Sequence, residues 1–137
     1  MPSLLIELYD THAIEKNVYQ AFVSNCDEIL FLSLKKISEE ERLSLKQFIM
    51  EQVPNIKKVH FRQFNLDHVW KELDLFLDKF SSVTIDVFGG DTLLAIILFQ
   101  YGLEKRFQIV SMDVVLKDFL KTFLVILFHY HYFFENH

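Results

Sequence analysis

Two adjacent glycines, Gly89 and Gly90, mark the position in this sequence best suited to bind a ligand; the chain has only three glycines. They follow residues 83–88, a run rich in β-branched residues, and precede an amphipathic run that begins at Asp91. This order predicts a strand, a tight turn and a helix start. Glycine permits positive φ and close approach of a ligand, and free amides at a helix start attract phosphate. We therefore expect an anion to bind here, at amides that are open to solvent.

The sequence lacks the familiar catalytic motifs. No Walker lysine follows the glycines, and there is no complete Gly-x-Gly-x-x-Gly, Gly-x-Ser-x-Gly or Cys-x-x-Cys. His129, His131 and His137 are the only grouping that suggests a metal, and alternating His and Tyr in an apolar stretch is a weak indication of one. The sequence therefore predicts neither a metal nor a cofactor.

The elements that must position the glycine turn follow from two kinds of alternating apolar run. Short runs predict strands at 3–9, 28–32, 56–61, 83–88 and 107–112. Longer periodic runs predict helices at 13–24, 39–53, 66–80 and 91–101, with Ser38 and Asn65 as N-caps and Pro54 as a stop. We expect the buried helix positions to include Ile14, Val18, Ala21 and Phe22 in the first helix and Val69, Trp70, Leu73, Phe76, Leu77 and Phe80 in the third.

Length and composition indicate one compact domain. At 137 residues, 51% of them hydrophobic, the chain is long enough to bury a real core. A net charge of −5 argues against binding of duplex DNA, which requires many basic groups on one face. The single cysteine, Cys26, excludes an internal disulfide and fits a reducing compartment. Glu7 and Asp10 interrupt the first apolar run, so we expect no secretory signal and a cytoplasmic protein.

Strand and helix alternate five times, which predicts an α/β fold. The expected architecture is a Rossmann-like, doubly wound, mostly parallel sheet of five or six strands with helices on both faces. In the strand order 3-2-1-4-5, the winding reverses between the first and fourth strands, and ligands bind at that reversal. The loops at 9–12 and 88–92 are then expected to meet at one rim of the sheet.

Two short stretches carry a resemblance to a known family. Residues 5–12, Leu-Ile-Glu-Leu-Tyr-Asp-Thr-His, with Asn17 in the next helix, and residues 86–91, Asp-Val-Phe-Gly-Gly-Asp, resemble CRISPR-associated Rossmann-fold (CARF) domains. The similarity is greatest to the N-terminal sensor domains of CARF–nuclease fusion proteins, and it covers about residues 4–113 in element order. Phe88 departs from the pattern, since the family usually has Thr or Ser there.

The resemblance implies a homodimer that binds one cyclic oligoadenylate across its two-fold axis, as a second messenger of type III CRISPR antiviral signalling. The ligand-binding residues that it implies are Tyr9, Asp10, Thr11, His12, Phe88, Gly89, Gly90, Asp91 and Thr92. The ring of Tyr9 or Phe88 would stack on adenine. Slow, metal-independent cleavage of the ring, achieved by holding a 2′-hydroxyl in line with its own phosphate, is a hypothesis within the same interpretation.

Several of these residues also have structural explanations. Asp10 and His12 are weak catalytic candidates, because Asp10 can close an Asx-turn and a loop histidine is commonly solvated. Asp91 can act simply as a helix N-cap. Lys35, Lys36 and Arg62 follow the second and third strands, where they either supply positive charge to the rim or remain solvated surface groups.

The C-terminal segment does not fit the alternating pattern. We divide the chain into a ligand-binding domain at 1–113 and an apolar segment at 114–137, which completes the core or forms a dimer or partner surface. Its unbroken apolar part is about twelve residues, short of a bilayer span, so a membrane anchor is not expected. A separate effector protein is then a candidate partner. Two other interpretations stay open: a degenerate Rossmann-like module that binds no nucleotide and pairs through this segment, and a small flavodoxin-like enzyme.

Overall fold

A computed structural model describes residues 1–12 and 14–110 of the chain. Its elements alternate in the order β1 (Ser3–Leu8), α1 (Ile14–Ser24), β2 (Glu28–Ser33), α2 (Glu39–Gln52), β3 (Lys58–Gln63), α3 (Val69–Leu77), β4 (Ser82–Asp86), α4 (Thr92–Lys105) and β5 (Gln108–Val110). A 3₁₀ turn, Leu66–His68, precedes α3. The predictions for 111–137, including the three histidines and the division of the chain at 113, lie outside the described residues.

The five strands form one sheet in the order β3-β2-β1-β4-β5, and every pairing is parallel. The predicted fold class and strand order are both confirmed. Alternate residues of β1 enter different cores: Leu4, Ile6 and Leu8 pack with α3 and α4, whereas Leu5 packs with α1 and α2. Burial of the sheet on both faces explains why its central strands are almost continuously apolar.

Several predicted boundaries and burial assignments were wrong. Strand β3 begins two residues later than expected, and α4 continues to Lys105, where Arg106 takes the left-handed conformation with a φ of 59°. Phe22 lies on the outer side of α1 and is 69% exposed, and Trp70 is 39% exposed. Both errors have one cause, since a periodic apolar pattern gives the buried side of a helix only approximately when extra apolar residues flank it.

Helix α4 packs directly against β4 and β5. A Cβ added at Gly102 would lie 3.0 Å from Cδ1 of Ile109 and 3.1 Å from Cδ1 of Ile85, so this glycine permits the close approach. The close packing fixes α4, and therefore its N-terminus, relative to the end of β4. Within the described ranges, no helix is long and apolar enough to span a bilayer.

Candidate ligand-binding rim

The turn after β1 and the turn after β4 meet at the carboxyl edge of the sheet. The backbone N–H of Gly90 donates to Oδ2 of Asp10 over 3.2 Å, which joins two loops that are 80 residues apart in the chain. The pairing of β1 with β4 places these loops side by side. The expectation that 9–12 and 88–92 share one rim is therefore confirmed.

Asp10 accepts a hydrogen bond from the N–H of Gly90, one of the amides that we expected to be open to solvent. Its Oδ1 accepts from the N–H of His12 over 2.9 Å, so it closes an Asx-turn while its Oδ2 holds Gly90. The His12 bond, and then the Gly90 bond, lower the pKa of the Asp10 carboxyl, and partial burial opposes them. The prediction of an open amide at Gly90 was wrong, because a side chain from the neighbouring loop reaches it first.

Other amides of the same turn lack a partner within residues 1–12 and 14–110. No described group accepts a hydrogen bond from the N–H of Gly89, Thr92 or Leu93. Asp91 caps α4, since its Oδ1 accepts from the N–H of Leu94 over 3.0 Å. The helix start therefore retains donors for an anion even though Asp91 takes one of them.

Both glycines of the turn have left-handed backbone conformations, with φ of 85° at Gly89 and 68° at Gly90. A Cβ added at Gly90 would lie 2.7 Å from Cβ of Leu8, at the end of β1. Gly90 is therefore needed both for its conformation and for close contact between the two loops.

We expect Gly90→Ala to destabilise the fold by about 2–4 kcal/mol, since it combines a left-handed alanine with a clash against β1. Chemical denaturation followed by circular dichroism measures this loss. Gly89→Ala is the control for the left-handed penalty, because Gly89 also has a positive φ. Equal stability of Gly90→Ala and the wild type would contradict the described packing.

Tyr9 points away from the glycine turn. Its hydroxyl donates to Oε2 of Glu41 over 2.7 Å, and its ring meets Phe31 edge-on at 6.5 Å between centroids. Burial and the Glu41 carboxylate raise the pKa of Tyr9 to about 12. The side chain lines a groove of about 680 Å³ beside α2, together with Thr11. Tyr9 therefore borders a neighbouring part of the rim, beside α2.

Phe88 is half-buried next to the glycines, and a cation covers one of its faces. Nζ of Lys16 lies 4.1 Å from the centroid of the Phe88 ring. Sequence reasoning did not identify Lys16, although a basic residue in the first turn after the β1 loop was a usable signal. It brings positive charge to a rim that otherwise carries the carboxylates of Asp10 and Asp91.

A buried polar cluster lies directly behind the rim. Glu7 of β1, Asn17 of α1 and Asp86 of β4 are exposed by only 0%, 1% and 3%. Nδ2 of Asn17 donates to Oε2 of Glu7 over 2.6 Å, and Oδ1 of Asp86 accepts from the N–H of Phe88 over 3.0 Å. The cluster ties α1 to the sheet and fixes the start of the glycine turn.

The two buried carboxyl groups of this cluster are costly to ionise. Burial, followed by the charge of Asp86, raises the pKa of Glu7 well above its usual range, and burial raises that of Asp86. Two adjacent buried carboxyl groups do not both ionise readily, so we expect Glu7, whose pKa is raised well above its usual range, to be the protonated member of the pair. Oε1 of Glu7 and Oδ1 of Asn17 are buried and have no hydrogen-bond partner in the described part of the chain.

The remaining predicted rim residues are dispersed. His12, Lys35, Lys36 and Arg62 are all solvent-exposed, and the last two line a separate groove at the β2–β3 end. In the described ranges, no group of three His, Cys, Asp or Glu residues is arranged to hold a metal ion.

The sheet order and the joined turns define a Rossmann-like α/β domain of CARF-like fold, as the sequence resemblance predicted. Among solved structures, the chain is similar to Can2 from Sulfobacillus thermosulfidooxidans, determined in complex with cyclic tetra-adenylate (cA4), with a TM-score of 0.62 and 16% identity. The alignment covers 81% of this chain and 32% of Can2, so the chain spans about a third of that protein. No protein-family model matches the sequence, and neither does any curated protein.

Proposed function

We propose that this chain is a sensor that binds a cyclic oligoadenylate at the rim formed by the β1 and β4 turns. The observation that carries the proposal is the joining of these two turns, in a fold similar to that of a protein solved with cA4. Signalling in type III CRISPR defence, through a homodimer with the ligand on its two-fold axis or through a separate effector, is part of the same proposal.

The rim offers chemistry that suits a phosphodiester. Amides of Gly89, Thr92 and Leu93 supply donors at the start of α4, and the ammonium of Lys16 adds positive charge close to Phe88. The ring of Phe88 supplies an apolar surface for a base on its remaining face. Asp10 opposes this binding, because a phosphate must displace its carboxylate to reach the N–H of Gly90.

We propose that the chain binds the cyclic ligand, and the residues at the rim support ring cleavage less well. Cleavage by the ligand's own 2′-hydroxyl would form a bond between the 2′-oxygen and phosphorus and break the bond between phosphorus and the 5′-oxygen. One proton would move from the 2′-oxygen to the 5′-oxygen. Asp10 is a poor base for that step, because its two backbone hydrogen bonds hold its pKa below the usual range. His12 remains exposed and available for proton transfer.

Thermal melting with cA4 and with cyclic hexa-adenylate tests the proposal. A ligand at a hundred times its Kd should stabilise the folded chain by about 2.7 kcal/mol, which appears as a rise in Tm. Linear tetra-adenylate at the same concentration controls for non-specific binding. Lys16→Gln should reduce the rise, and Lys46→Gln, which changes the same charge on exposed α2, should leave it unchanged. No rise with either cyclic ligand would contradict the proposal.

An interaction module that binds no nucleotide is the second candidate. The outer side of α1 carries Tyr19, Phe22 and Val23, which are 58%, 69% and 55% exposed. Exposed apolar groups at this spacing are typical of a helix that packs against a partner. This candidate predicts no response to cyclic oligoadenylates, together with self-association or partner binding that Phe22→Ser abolishes.

A further inference from the structure

The groove beside α2 that Tyr9 and Thr11 border has an apolar wall. Tyr9 and Ile14 both pack against the core that contains the buried Leu45, and all three residues line the groove. Phe48 of α2 also lines it and is 41% exposed. Sites for small organic ligands typically measure several hundred Å³ and have apolar and aromatic walls, and this groove measures about 680 Å³. Its size and lining therefore suit an organic ring.

Part of this wall is fixed before any ligand binds. The hydroxyl of Tyr9 donates to Oε2 of Glu41 over 2.7 Å, which joins the loop after β1 to the first turn of α2. The buried ring of Phe31 meets the Tyr9 ring edge-on. A side chain that is already ordered loses little conformational freedom when a ligand contacts it. Tyr9 therefore offers a preorganised aromatic surface.

The polar groups of the groove suit a hydrogen-bond donor better than a phosphate. Glu40, Glu41 and Ser44 line it, and none of the described lining residues is basic. In the part of the chain that the structure describes, neither glutamate belongs to an ion pair. Their negative charge repels a phosphodiester, whereas carboxylate oxygens accept hydrogen bonds from an amine. The exocyclic amine of adenine is a donor of this kind.

The groove also adjoins the rim formed by the β1 and β4 turns. Thr11 lines the groove, and the preceding residue, Asp10, accepts from the N–H of Gly90. Because consecutive Cα atoms are about 3.8 Å apart, the groove begins one residue from the contact with the glycine turn. The two places are therefore close enough for neighbouring parts of one ligand.

We propose that this groove binds an adenine base of the cyclic oligoadenylate, so that α2 takes part in recognising the ligand. Tyr9 and Phe48 contact the base, and the carboxylates at the start of α2 accept from its amine. Phe88 remains available for another base of the same ring. This inference rests on the proposed function and identifies which part of the ligand the groove recognises.

Phe48→Ala tests the groove, with Leu43→Ala as the matched control. Both side chains are exposed on α2, by 41% and 60%, and Leu43 does not line the groove. We expect Phe48→Ala to bind cA4 about fivefold to a hundredfold more weakly than the wild type, because it removes an aromatic contact with a base. Leu43→Ala should bind like the wild type. Calorimetry measures the affinities, and circular dichroism checks that both variants fold.

Ser44→Ala is a second variant that removes only an exposed hydroxyl. It should weaken binding of cA4 by about threefold to tenfold, since one hydrogen bond is lost. If the wild type binds cA4 and both Phe48→Ala and Ser44→Ala bind it equally well, the groove is not a base site. That result would overturn this inference and leave the proposed binding at the rim intact.

If the wild type does not bind cA4, the proposed function fails, and adenosine alone then tests the groove. Saturable NMR shifts of the Thr11, Ser44 and Phe48 amides that Phe48→Ala abolishes would still support an adenine site. Absence of these shifts would overturn it. Purine riboside, which lacks the amine, should bind more weakly than adenosine, and equal binding would overturn the role of the carboxylates.

Discussion

Asp10→Asn should bind cyclic oligoadenylate more tightly than the wild type, by about tenfold to a hundredfold. The carboxylate of Asp10 holds the Gly90 amide and places a negative charge where we propose that a phosphate binds. Two unit charges 4 Å apart near a protein surface repel by about 4 kcal/mol before salt screening, which leaves room for a gain of this size. Asparagine keeps an oxygen that accepts from His12, so the turn itself is retained.

The gain in affinity has two causes: the Gly90 amide is freed, and a negative charge is removed from the rim. Asp91→Asn separates them. It also removes one negative charge from the rim, but Asp91 caps Leu94 rather than Gly90, and asparagine is an equally good N-cap. We expect a smaller increase in affinity for this variant, measured by calorimetry with cA4 at two salt concentrations. Weaker binding by Asp10→Asn than by the wild type would show that the carboxylate contacts the ligand favourably, and would contradict a competing role for Asp10.

The fold was predictable because its signals are local. Continuous apolar strands, the N-cap at Ser38 and the helix start at Asp91 each depend on a few neighbouring residues, and the order of the sheet follows from general rules of winding. The meeting of the two loops followed from the same rules. These rules position the backbone, so the meeting of the two loops was predicted correctly.

The side-chain chemistry of the rim was not predictable in the same way. Asp10 and Gly90 are 80 residues apart, and no local pattern indicates that a carboxylate will fill that amide. Glu7 appeared only as an interruption of an apolar run. Its isolation in a buried strand was a signal for a partner, but the partner, Asp86, lies on a different strand. Long-range pairs of this kind depend on which strands are neighbours in the sheet, and local sequence patterns do not indicate which side chains then meet.

The raised pKa of Glu7 makes the stability of the chain depend on pH. In the folded chain its pKa is raised well above 4.5, mainly by burial, whereas in the unfolded chain it ionises near that value. Folding below about pH 4.5 therefore carries no penalty from this group. As pH rises towards the folded pKa, the unfolded state loses the proton first, and stability falls by up to about 1.4 kcal/mol for each pH unit.

Glu7→Gln should remove this penalty. Glutamine is neutral and of nearly the same shape, so its amide can donate to Asp86 and its oxygen can accept from Asn17, with no proton to retain. We expect the variant to gain about 1–3 kcal/mol over the wild type at pH 7.5 and little at pH 5, measured by urea denaturation across this range. The free energy of unfolding of the variant should also vary less with pH.

Glu28→Gln is the matched control for this prediction. Glu28 is a buried glutamate on the neighbouring strand β2, but its Oε1 lies 2.6 Å from Nε2 of His60, so replacing it weakens a hydrogen bond instead of relieving a repulsion. We expect that variant to lose stability, because it weakens a short, partly buried hydrogen bond. A gain in the free energy of unfolding for Glu7→Gln and a loss for Glu28→Gln would assign the effect to the pairing of Glu7 with Asp86. If Glu7→Gln is less stable than the wild type at pH 7.5, Glu7 is ionised in the folded chain.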